Sequence, residues 1–218
     1  MRTYGQYCAL AKALDVVGDR WTLLIVRELL TRGACRYTDL RAGLPGIATN
    51  LLAVRLRELG DAGLVRREDA PPPVATALFK LTERGEGLLP VLQELGRWGA
   101  PLLTKRGRTD KFRTHWMSLP LRWHLSDDTP DAGPLTIEVR TGNESLTIAS
   151  SGGTLQSRPG RAIDPDLVLT GTPDLVVGLL LGWFDVETAT LQGLKIRGDP
   201  AVLRRLRRTG ADSVGTRR

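Results

Sequence analysis

The sequence is poor in the residues that build metal sites and disulfides. Its 218 residues include two cysteines, Cys8 and Cys35, and two histidines, His115 and His124. The cysteines are too few and too far apart for a metal site, and we expect both to pack as small buried hydrophobic residues. The histidines lack the spacing of a helical metal-binding pair, and neither a phosphate-binding glycine loop nor a nucleophile elbow occurs. We therefore expect no enzyme activity, no metal and no cofactor.

Long hydrophobic runs are also missing. The longest, residues 175–184, is about half of the roughly 20 residues that a membrane-spanning helix needs. Lys12 and Asp15 interrupt the first segment of the chain, which has no signal-peptide core. We expect a cytoplasmic protein without a membrane span.

Positive charge is concentrated in the first half of the chain. Residues 1–113 contain 19 Lys and Arg against 12 Asp and Glu, whereas residues 114–218 contain 12 of each, so the whole net charge of +7 lies in the first part. This asymmetry favours two domains and indicates a polyanionic partner for the first, either nucleic acid or a membrane surface. A solvated arginine-rich face with no such partner is the alternative.

Apolar residues recur at helical spacing through the first half. After a first helix, the pattern predicts a second over residues 20–30, which Asp19 caps and Gly33 ends. This second helix is apolar on nearly all sides, so we expect it to be central and buried. A short third helix is expected to bury Tyr37 and Leu40.

A fourth helix is predicted over residues 48–61, with Leu52, Leu56 and Leu59 along its buried side. Its other side carries short polar residues, an alanine and arginines. Small side chains permit close approach to a major groove, Asn pairs with adenine edges, and Arg reaches guanine or phosphate. Thr and Asn near a helix start are equally compatible with simple capping. The candidate DNA contacts on this helix are Thr49, Asn50, Ala53, Arg55 and Arg57.

Two strands follow the fourth helix. Residues 63–69 and 74–82 have strand character, and the proline-rich run 70–73 between them predicts a turn. Helix, turn, helix and hairpin in this order indicate a mainly α winged helix-turn-helix domain, whose wing lies beside the DNA backbone. A run of prolines that only stiffens the hairpin is the alternative. The remaining candidate DNA contacts are Arg36, Arg66, Arg67 and Lys80.

Several motifs occur in order within residues 8–99. They are Trp21 in the second helix, the aromatic Tyr37 before the third, and the runs LPGI, RLRELGDAGLV and LTERG. Together they resemble the HxlR family of bacterial transcription regulators. The resemblance implies binding of double-stranded operator DNA as a homodimer, with Asn50 and its neighbours on the recognition helix and residues 66–80 as the wing.

Two positions qualify this resemblance. Ala48 stands where the family often has Ser, so Thr49 is expected to supply the first cap of the recognition helix. Cys8 matches the family's N-terminal Cys, which serves some members as an oxidant sensor. Lys12 is one turn away but nothing else in the sequence activates the thiol, so packing remains the favoured role.

A long helix is predicted over residues 83–105, after Thr82 as its cap. Its apolar stripe has no partner in so small a domain, and pairing with a symmetry mate is the simplest way to bury it. Packing against the C-terminal half is the alternative. The candidate dimerisation residues are Leu88, Leu92 and Leu95, and the stripe continues to Leu102 or Leu103.

The second half begins with a change of composition. Residues 1–107 form the predicted first domain, and residues 108–134 turn from basic to aromatic to acidic and proline-rich. They predict a linker, with one helix around 114–121 that packs Trp116 into the last domain, 135–218. In that domain we expect hairpins over 135–158, a strand at 166–171, a helix from Pro173, a strand at 193–199 and a last helix with Pro200 in its first turn. This is an α+β layer fold.

Residues 166–208 resemble the sterol carrier protein-like fold. The shared pattern is a strand, G-x-P, an apolar helix, G-x-x-x-x-G-D and a helix. The resemblance implies an apolar cavity between sheet and helices, although plain core packing explains the apolar helix as well. Together with the DNA-binding half, such a cavity leads us to expect an apolar small molecule that modulates DNA binding. The different-class alternative is a lipid-binding or catalytic protein whose basic half docks to an anionic surface. The candidate ligand contacts are Trp116, Trp123, Leu180, Trp183 and Phe184.

Overall fold

The computed structural model describes residues 3–69, 76–103, 107 and 109–208. The chain divides into two compact units, Met1–Lys111 and Phe112–Arg218. Each unit has its own arrangement of helices around a sheet.

The first unit is a winged helix-turn-helix. Its elements are α1 (Ala9–Val17), α2 (Thr22–Arg32), β1 (Cys35–Arg36), α3 (Tyr37–Gly43), α4 (Thr49–Asp61), β2 (Val65–Asp69), β3 (Ala77–Leu81), α5 (Glu83–Glu86) and α6 (Leu89–Gly99). The strands pair antiparallel in the order β1-β3-β2. Apolar side chains of α2, α3 and α4 form the core, including Ile25, Leu29, Leu40 and Leu52.

Helix α2 begins later than the sequence predicts. Trp21 lies in the left-handed region at φ 80°, so regular helical geometry starts at Thr22. The Asp19 carboxylate does not cap α2 as expected, because it accepts a hydrogen bond from Arg55 Nη1 at 2.6 Å. Gly33 ends the helix, as predicted, with φ 72°.

Helices α3 and α4 also differ from the sequence-based predictions of burial and capping. Tyr37 is half-buried rather than buried, whereas Leu40 is fully buried. Thr49 is the first residue of α4 and does not cap it; the capping position is Ala48, which makes no side-chain hydrogen bond. Leu52, with its neighbours Leu56 and Leu59, lies on the buried side as predicted.

The helix predicted over 83–105 is interrupted. Helix α5 ends at Glu86, a turn follows at Gly87, and α6 continues to Gly99 before a 3₁₀ turn, Ala100–Leu102. Pro90 explains the break, because it has no N–H to donate to the Glu86 carbonyl of a continuous helix. Thr82 caps α5 as expected, accepting from the Gly85 N–H at 3.1 Å. The end of the predicted helix, 104–105, lies outside the described residues.

The second unit is an α+β fold. After a 3₁₀ helix (Thr114–Met117), its elements are α7 (Ser118–His124), β4 (Leu125–Asp127), β5 (Leu135–Thr141), β6 (Glu144–Ser151), β7 (Thr154–Pro159), β8 (Leu167–Thr170), α8 (Pro173–Leu181), α9 (Val186–Leu191), β9 (Lys195–Gly198), a 3₁₀ helix (Pro200–Arg205) and β10 (Leu206–Arg208). The main sheet has the order β7-β6-β5-β8-β9, in which β5 and β8 run parallel and the other neighbours antiparallel. Strand β10 pairs antiparallel with β4.

The segment expected to be a linker contributes to the core of this unit. Met117, Leu121 and Leu125 are buried in one cluster with residues of the sheet and of α8. The expected hairpins, the strand β8 and the helix from Pro173 are present as predicted.

The end of the second unit differs from expectation. The last helix, from Pro200, is a 3₁₀ helix, and it leads into β10. Helix α9 was not predicted. Strand β10 forms because Leu206 and its two successors pair with β4, about 80 residues earlier in the chain, which is a contact that no local pattern reveals.

Candidate nucleic-acid interface and ligand cleft

One face of α4 is exposed along its length. Thr49, Asn50, Ala53 and Arg57 all lie on it, so four of the predicted contacts share one surface. Val54 is exposed beside them, with 40 % of its surface accessible. The other side of α4 packs into the core, so the helix presents this face outward without needing to move.

The turn before α4 is held by α2. Glu28 of α2 is fully buried and pairs with Arg27 at 2.8 Å. The Glu28 carboxylate occupies the space that a side chain on Gly43 would need, so glycine lets α3 end against α2. The Tyr37 hydroxyl donates to the Thr49 carbonyl at 2.5 Å and ties α3 to the first turn of α4.

Asn50 and Arg57 have the exposure that base and phosphate contacts require. The Asn50 Oδ1 accepts from the Leu51 N–H at 2.9 Å, so its amide must rotate to pair with a base edge. Arg57 is exposed and forms no ion pair with a carboxylate of the described residues. Its guanidinium is therefore available to an external anion.

Arg55 does not belong to this exposed face. Its side chain is only 16 % exposed, and Nη1 pairs with Asp19 at 2.6 Å and with Glu58 at 2.5 Å. The pair with Asp19 joins α4 to the segment before α2, whereas Glu58 lies on α4 itself. The DNA contact predicted for Arg55 stays a prediction.

The hairpin of β2 and β3 carries the remaining cations. Arg66 lies opposite Lys80, and both contact Glu68, at 2.9 and 3.8 Å. Arg67 is exposed on the other face of the hairpin, since neighbouring residues of a strand alternate. The structure therefore brings two of the three wing cations together, partly neutralised by one carboxylate. The proline-rich tip, 70–73, lies outside the described residues.

Arg36 is exposed at the end of β1. Its backbone N–H donates to the Asp39 carboxylate at 3.1 Å, at the start of α3. It lies directly before α3, the helix that precedes α4, and its phosphate contact stays a prediction.

The two cysteines have opposite environments. Cys35 is buried, as expected, and burial raises the pKa of its thiol to about 11. Cys8 is exposed, which contradicts the expected packing role. The backbone N–H groups of Ala11 and Leu10, at the start of α1, lower the pKa of the Cys8 thiol.

The predicted dimerisation residues differ in exposure. Leu92 is buried, at 8 % exposure, and Leu88 is half-buried. Leu95 is 49 % exposed. The large apolar side chains exposed on the same helix and the following turn are Val91, Leu95, Trp98 and Leu102.

The expected ligand contacts do not converge on one site. Leu180 and Phe184 line a cleft of about 570 Å³ between the end of α8 and the segment 199–208. Trp183 is 59 % exposed and is not part of the cleft wall. Trp116 and Trp123 are half-buried elsewhere in the unit and do not line the cleft either.

Neither a membrane-spanning helix nor a metal-binding cluster occurs among the described residues. None of the helices in this part of the chain is both long and apolar enough to cross a membrane. Nor does this part gather three or more His, Cys, Asp or Glu side chains at a spacing that could hold a metal ion.

The first unit matches known proteins. The model of the HxlR-like helix-turn-helix family matches residues 16–106. YvaP of Bacillus subtilis (strain 168), an uncharacterized HTH-type transcriptional regulator, is 37 % identical over 87 residues, which cover 40 % of this chain and 80 % of that protein. The chain belongs to the HxlR-like helix-turn-helix family. It is thus a transcriptional regulator of the helix-turn-helix type over its N-terminal part.

Other relatives show similar coverage. The putative regulatory protein MalR of Fusobacterium mortiferum is 34 % identical over 92 residues, 42 % of this chain and 87 % of that protein. The structure of the reduced form of the transcriptional regulator YodB from B. subtilis is 29 % identical, covers 47 % of this chain and all of that one, and has a TM-score of 0.40. The HxlR family match ends at residue 106, before the second unit begins.

Proposed function

We propose that this HxlR-family protein binds double-stranded operator DNA as a homodimer, and that an apolar small molecule bound in its C-terminal unit changes DNA affinity. The observation that carries the DNA-binding role is the exposed face of α4. Thr49, Asn50, Ala53 and Arg57 form a strip of small, hydrogen-bonding and cationic side chains without a carboxylate among them. Such a strip fits a major groove, where small residues permit close approach and Asn and Arg pair with base edges or phosphates.

The hairpin extends this surface. Arg66 and Arg67 are exposed on β2, Lys80 of β3 is half-buried, and Arg36 is exposed before α3. Cations at these places contact phosphates and set the position of the recognition helix without reading sequence. The two sets of residues thus have different roles, since α4 reads bases and the wing supplies affinity that depends on salt.

The exposed apolar residues of α6 support a homodimer. Val91, Leu95 and Trp98 follow helical spacing on one side of α6, Leu102 lies in the 3₁₀ turn that follows, and all four are at least 48 % exposed. Contiguous exposed apolar surface of this kind marks a protein interface. Leu10 and Leu14 of α1 are exposed as well. A two-fold dimer presents two recognition helices to the two half-sites of a pseudo-palindromic operator.

The second unit suits a sensing role. Its helices α7, α8 and α9 contribute Leu121, Val176 and Ala189 to one buried cluster with residues of the sheet, which is compatible with an α+β layer fold. Strand β8, the Pro173 that opens α8, and strand β9 follow each other as the resemblance to the sterol carrier protein-like fold implies. An effector acts by binding the DNA-competent and incompetent forms of the dimer with different affinity, and the coupling is reciprocal.

Fluorescence anisotropy tests the DNA-binding role. A labelled duplex from the region upstream of the gene is compared with a scrambled duplex of the same length and composition, over a range of salt concentrations. We expect preferential binding to the upstream duplex, with an affinity that falls as salt rises. Equal binding to both duplexes would instead fit non-specific docking to an anionic surface and would contradict the proposal.

A further inference from the structure

The cleft of the second unit has an apolar floor. Leu179, Leu180 and Phe184 line one side, and Leu203 and Leu206 line the other. Its volume, about 570 Å³, is in the range of small-molecule pockets in proteins. The Phe184 ring lies directly on Gly178 of α8, in the place that a side chain there would fill. The cleft therefore offers an apolar surface to a hydrocarbon chain.

The rim of the cleft carries a specific pair of arginines. The segment 204–208 contains four, and two of them form ion pairs: Arg205 with Asp127 at 2.8 Å and Arg207 with Asp128 at 3.6 Å. Arg204 and Arg208 pair with no carboxylate of the described residues, and these two line the cleft. The arginines of this segment that lack such a carboxylate are thus the ones that face the apolar surface.

Two aspartates also line the cleft, but their carboxylates are engaged. The Asp185 Oδ1 accepts from the Thr188 N–H at 2.8 Å, and the Asp199 Oδ1 accepts from the Ala201 N–H at 2.8 Å. Each caps the helix that follows it, so the helix amides offset part of its negative charge. The lining thus contains two carboxylates, whose oxygens are directed to backbone N–H groups, and two guanidinium groups, Arg204 and Arg208.

The wall that carries Arg204 is held in place. The neighbouring Arg205 donates to Asp127 and also to the Gly133 carbonyl at 2.7 Å. The Asp127 side chain is 1 % exposed and accepts a further bond from the Ser150 hydroxyl. This network fixes the 3₁₀ helix before a ligand arrives, which lowers the cost of ordering the site on binding.

The geometry points to an amphipathic anion, a single hydrocarbon chain with a carboxylate head, as the ligand of this cleft. Its chain lies along the leucines and Phe184, and its head accepts hydrogen bonds from Arg204 and Arg208. This inference rests on the proposed sensing role of the second unit and gives it a place and a chemical class. Guanidinium groups bind carboxylates with charge-assisted and often bidentate hydrogen bonds, which neither an alcohol nor a cation can replace.

Calorimetric titration of the full chain tests the ligand class. The probes are decanoate, decanol and decyltrimethylammonium, which share a chain and differ in charge. We expect decanoate to bind at least about tenfold more tightly than the other two, because only it bonds to the arginines. Equal affinity for decanol and decanoate, or no binding of any probe, overturns the inference.

Variants of the same segment test the location. Arg204→Gln should weaken decanoate about tenfold and leave decanol unchanged. Arg207→Gln is the matched control, since Arg207 pairs with Asp128 and does not line the cleft, and it should leave both unchanged. Ala201→Trp places a ring in the cleft from an exposed position and should abolish binding of both probes. Equal effects of the two Arg variants overturn the inference.

Failure of this inference is separable from failure of the proposed function. Operator affinity is measured without any ligand, so it does not depend on the cleft. Binding of decanoate that leaves operator affinity unchanged supports the cleft and contradicts the proposed coupling between ligand and DNA.

Discussion

The two units use their charged residues in different ways. In the first, Arg57 and Arg67 are exposed and form no ion pair with a described carboxylate. In the second, Asp127 and Glu138 are almost fully buried, and each is bonded to an arginine. The first unit keeps cations available to an external polyanion, whereas the second uses many of its charges to hold its own elements together.

Arg55 shows that the distinction is not a property of the unit as a whole. It lies on α4 between the exposed Ala53 and Arg57, yet it pairs with Asp19 and Glu58. Arg204, in the second unit, shows the reverse, since it pairs with no described carboxylate. The comparison that matters is thus between paired and available arginines. The first and last of the following sets of variants test it, and the others test the surfaces proposed for the first unit.

The largest effect is expected from Asp127→Ala. The substitution leaves Arg205, itself largely buried, without its carboxylate, and breaking such a pair costs about 4 kcal/mol of the free energy of unfolding. Denaturant-induced unfolding and calorimetry measure the loss of unfolding free energy, and hydrogen exchange of the backbone amides in β4 and β10 shows where stability is lost. The exposed neighbour Asp128 provides the control: Asp128→Ala should change stability by less than about 0.5 kcal/mol.

Acid unfolding checks the same pair independently. Hydrogen bonds from Arg205, Ser150 and Thr129 hold the pKa of Asp127 at about 2. Because the folded pKa lies below the unfolded value, this contribution is complete above about pH 4 and is lost as pH falls toward 2. Asp127→Ala should lack that part of the pH dependence. Parallel profiles for both proteins would show that the pair does not stabilise the second unit.

Leu95→Glu should have the next largest effect. Leu95 is half-exposed, so the fold tolerates a charge there, but a dimer seam would bury it against its symmetry mate. We expect monomers by light scattering and a loss of operator affinity of about 100-fold, roughly 2.7 kcal/mol. Glu94→Gln, one residue earlier and exposed, is the control. An unchanged mass for Leu95→Glu would place the dimer interface elsewhere.

Asn50→Ala tests whether α4 reads bases. We expect a loss of about 2 kcal/mol in binding to the upstream duplex and little change on scrambled DNA, because a base-edge contact carries sequence information and no charge. Anisotropy titrations of both duplexes give the two values, and thermal unfolding shows whether the fold is intact. Equal losses on the two duplexes would remove Asn50 from the recognition surface.

The smallest effect is expected from a comparison of two arginines on α4: Arg57, which is available, and Arg55, which is paired. Arg57→Gln should lower affinity for both duplexes and reduce the slope of affinity against salt by about one, with stability unchanged. Arg55→Gln should leave the salt slope unchanged and lower stability by no more than about 1 kcal/mol, since its partners are partly exposed. If Arg55→Gln alone alters the salt slope, the roles of the two arginines are exchanged.

Elements with a strong local signal were predictable. The buried stripe of α4 follows from the helical spacing of Leu52, Leu56 and Leu59. The exposed face is the opposite side of the same helix. The strands β5, β6 and β7 follow from alternation and from turns that contain glycine. One break also has a local signal: Pro90 marks the interruption before α6, and that interruption changes which leucines are exposed.

Elements that depend on distant partners were not predictable from local patterns. Residues 200–208 have the composition of a helix, yet the last three form β10 because β4 offers them backbone hydrogen bonds. Trp183 looked like a wall of a cavity because it ends an apolar helix. The chain turns at Gly182 and leaves it exposed. Leu180, from the same run, lines the cleft instead.

The sequence by itself determined the winged helix-turn-helix, the face of α4 and the α+β class of the second unit, because periodicity, capping and turn residues act over a few neighbours. Only the tertiary structure decided which arginines are available. Arg55 and Asp19 are 36 residues apart, and Arg205 and Asp127 are 78 apart. A guanidinium is paired or available according to what the fold brings within about 4 Å of it, and that distance is set by the packing of whole elements.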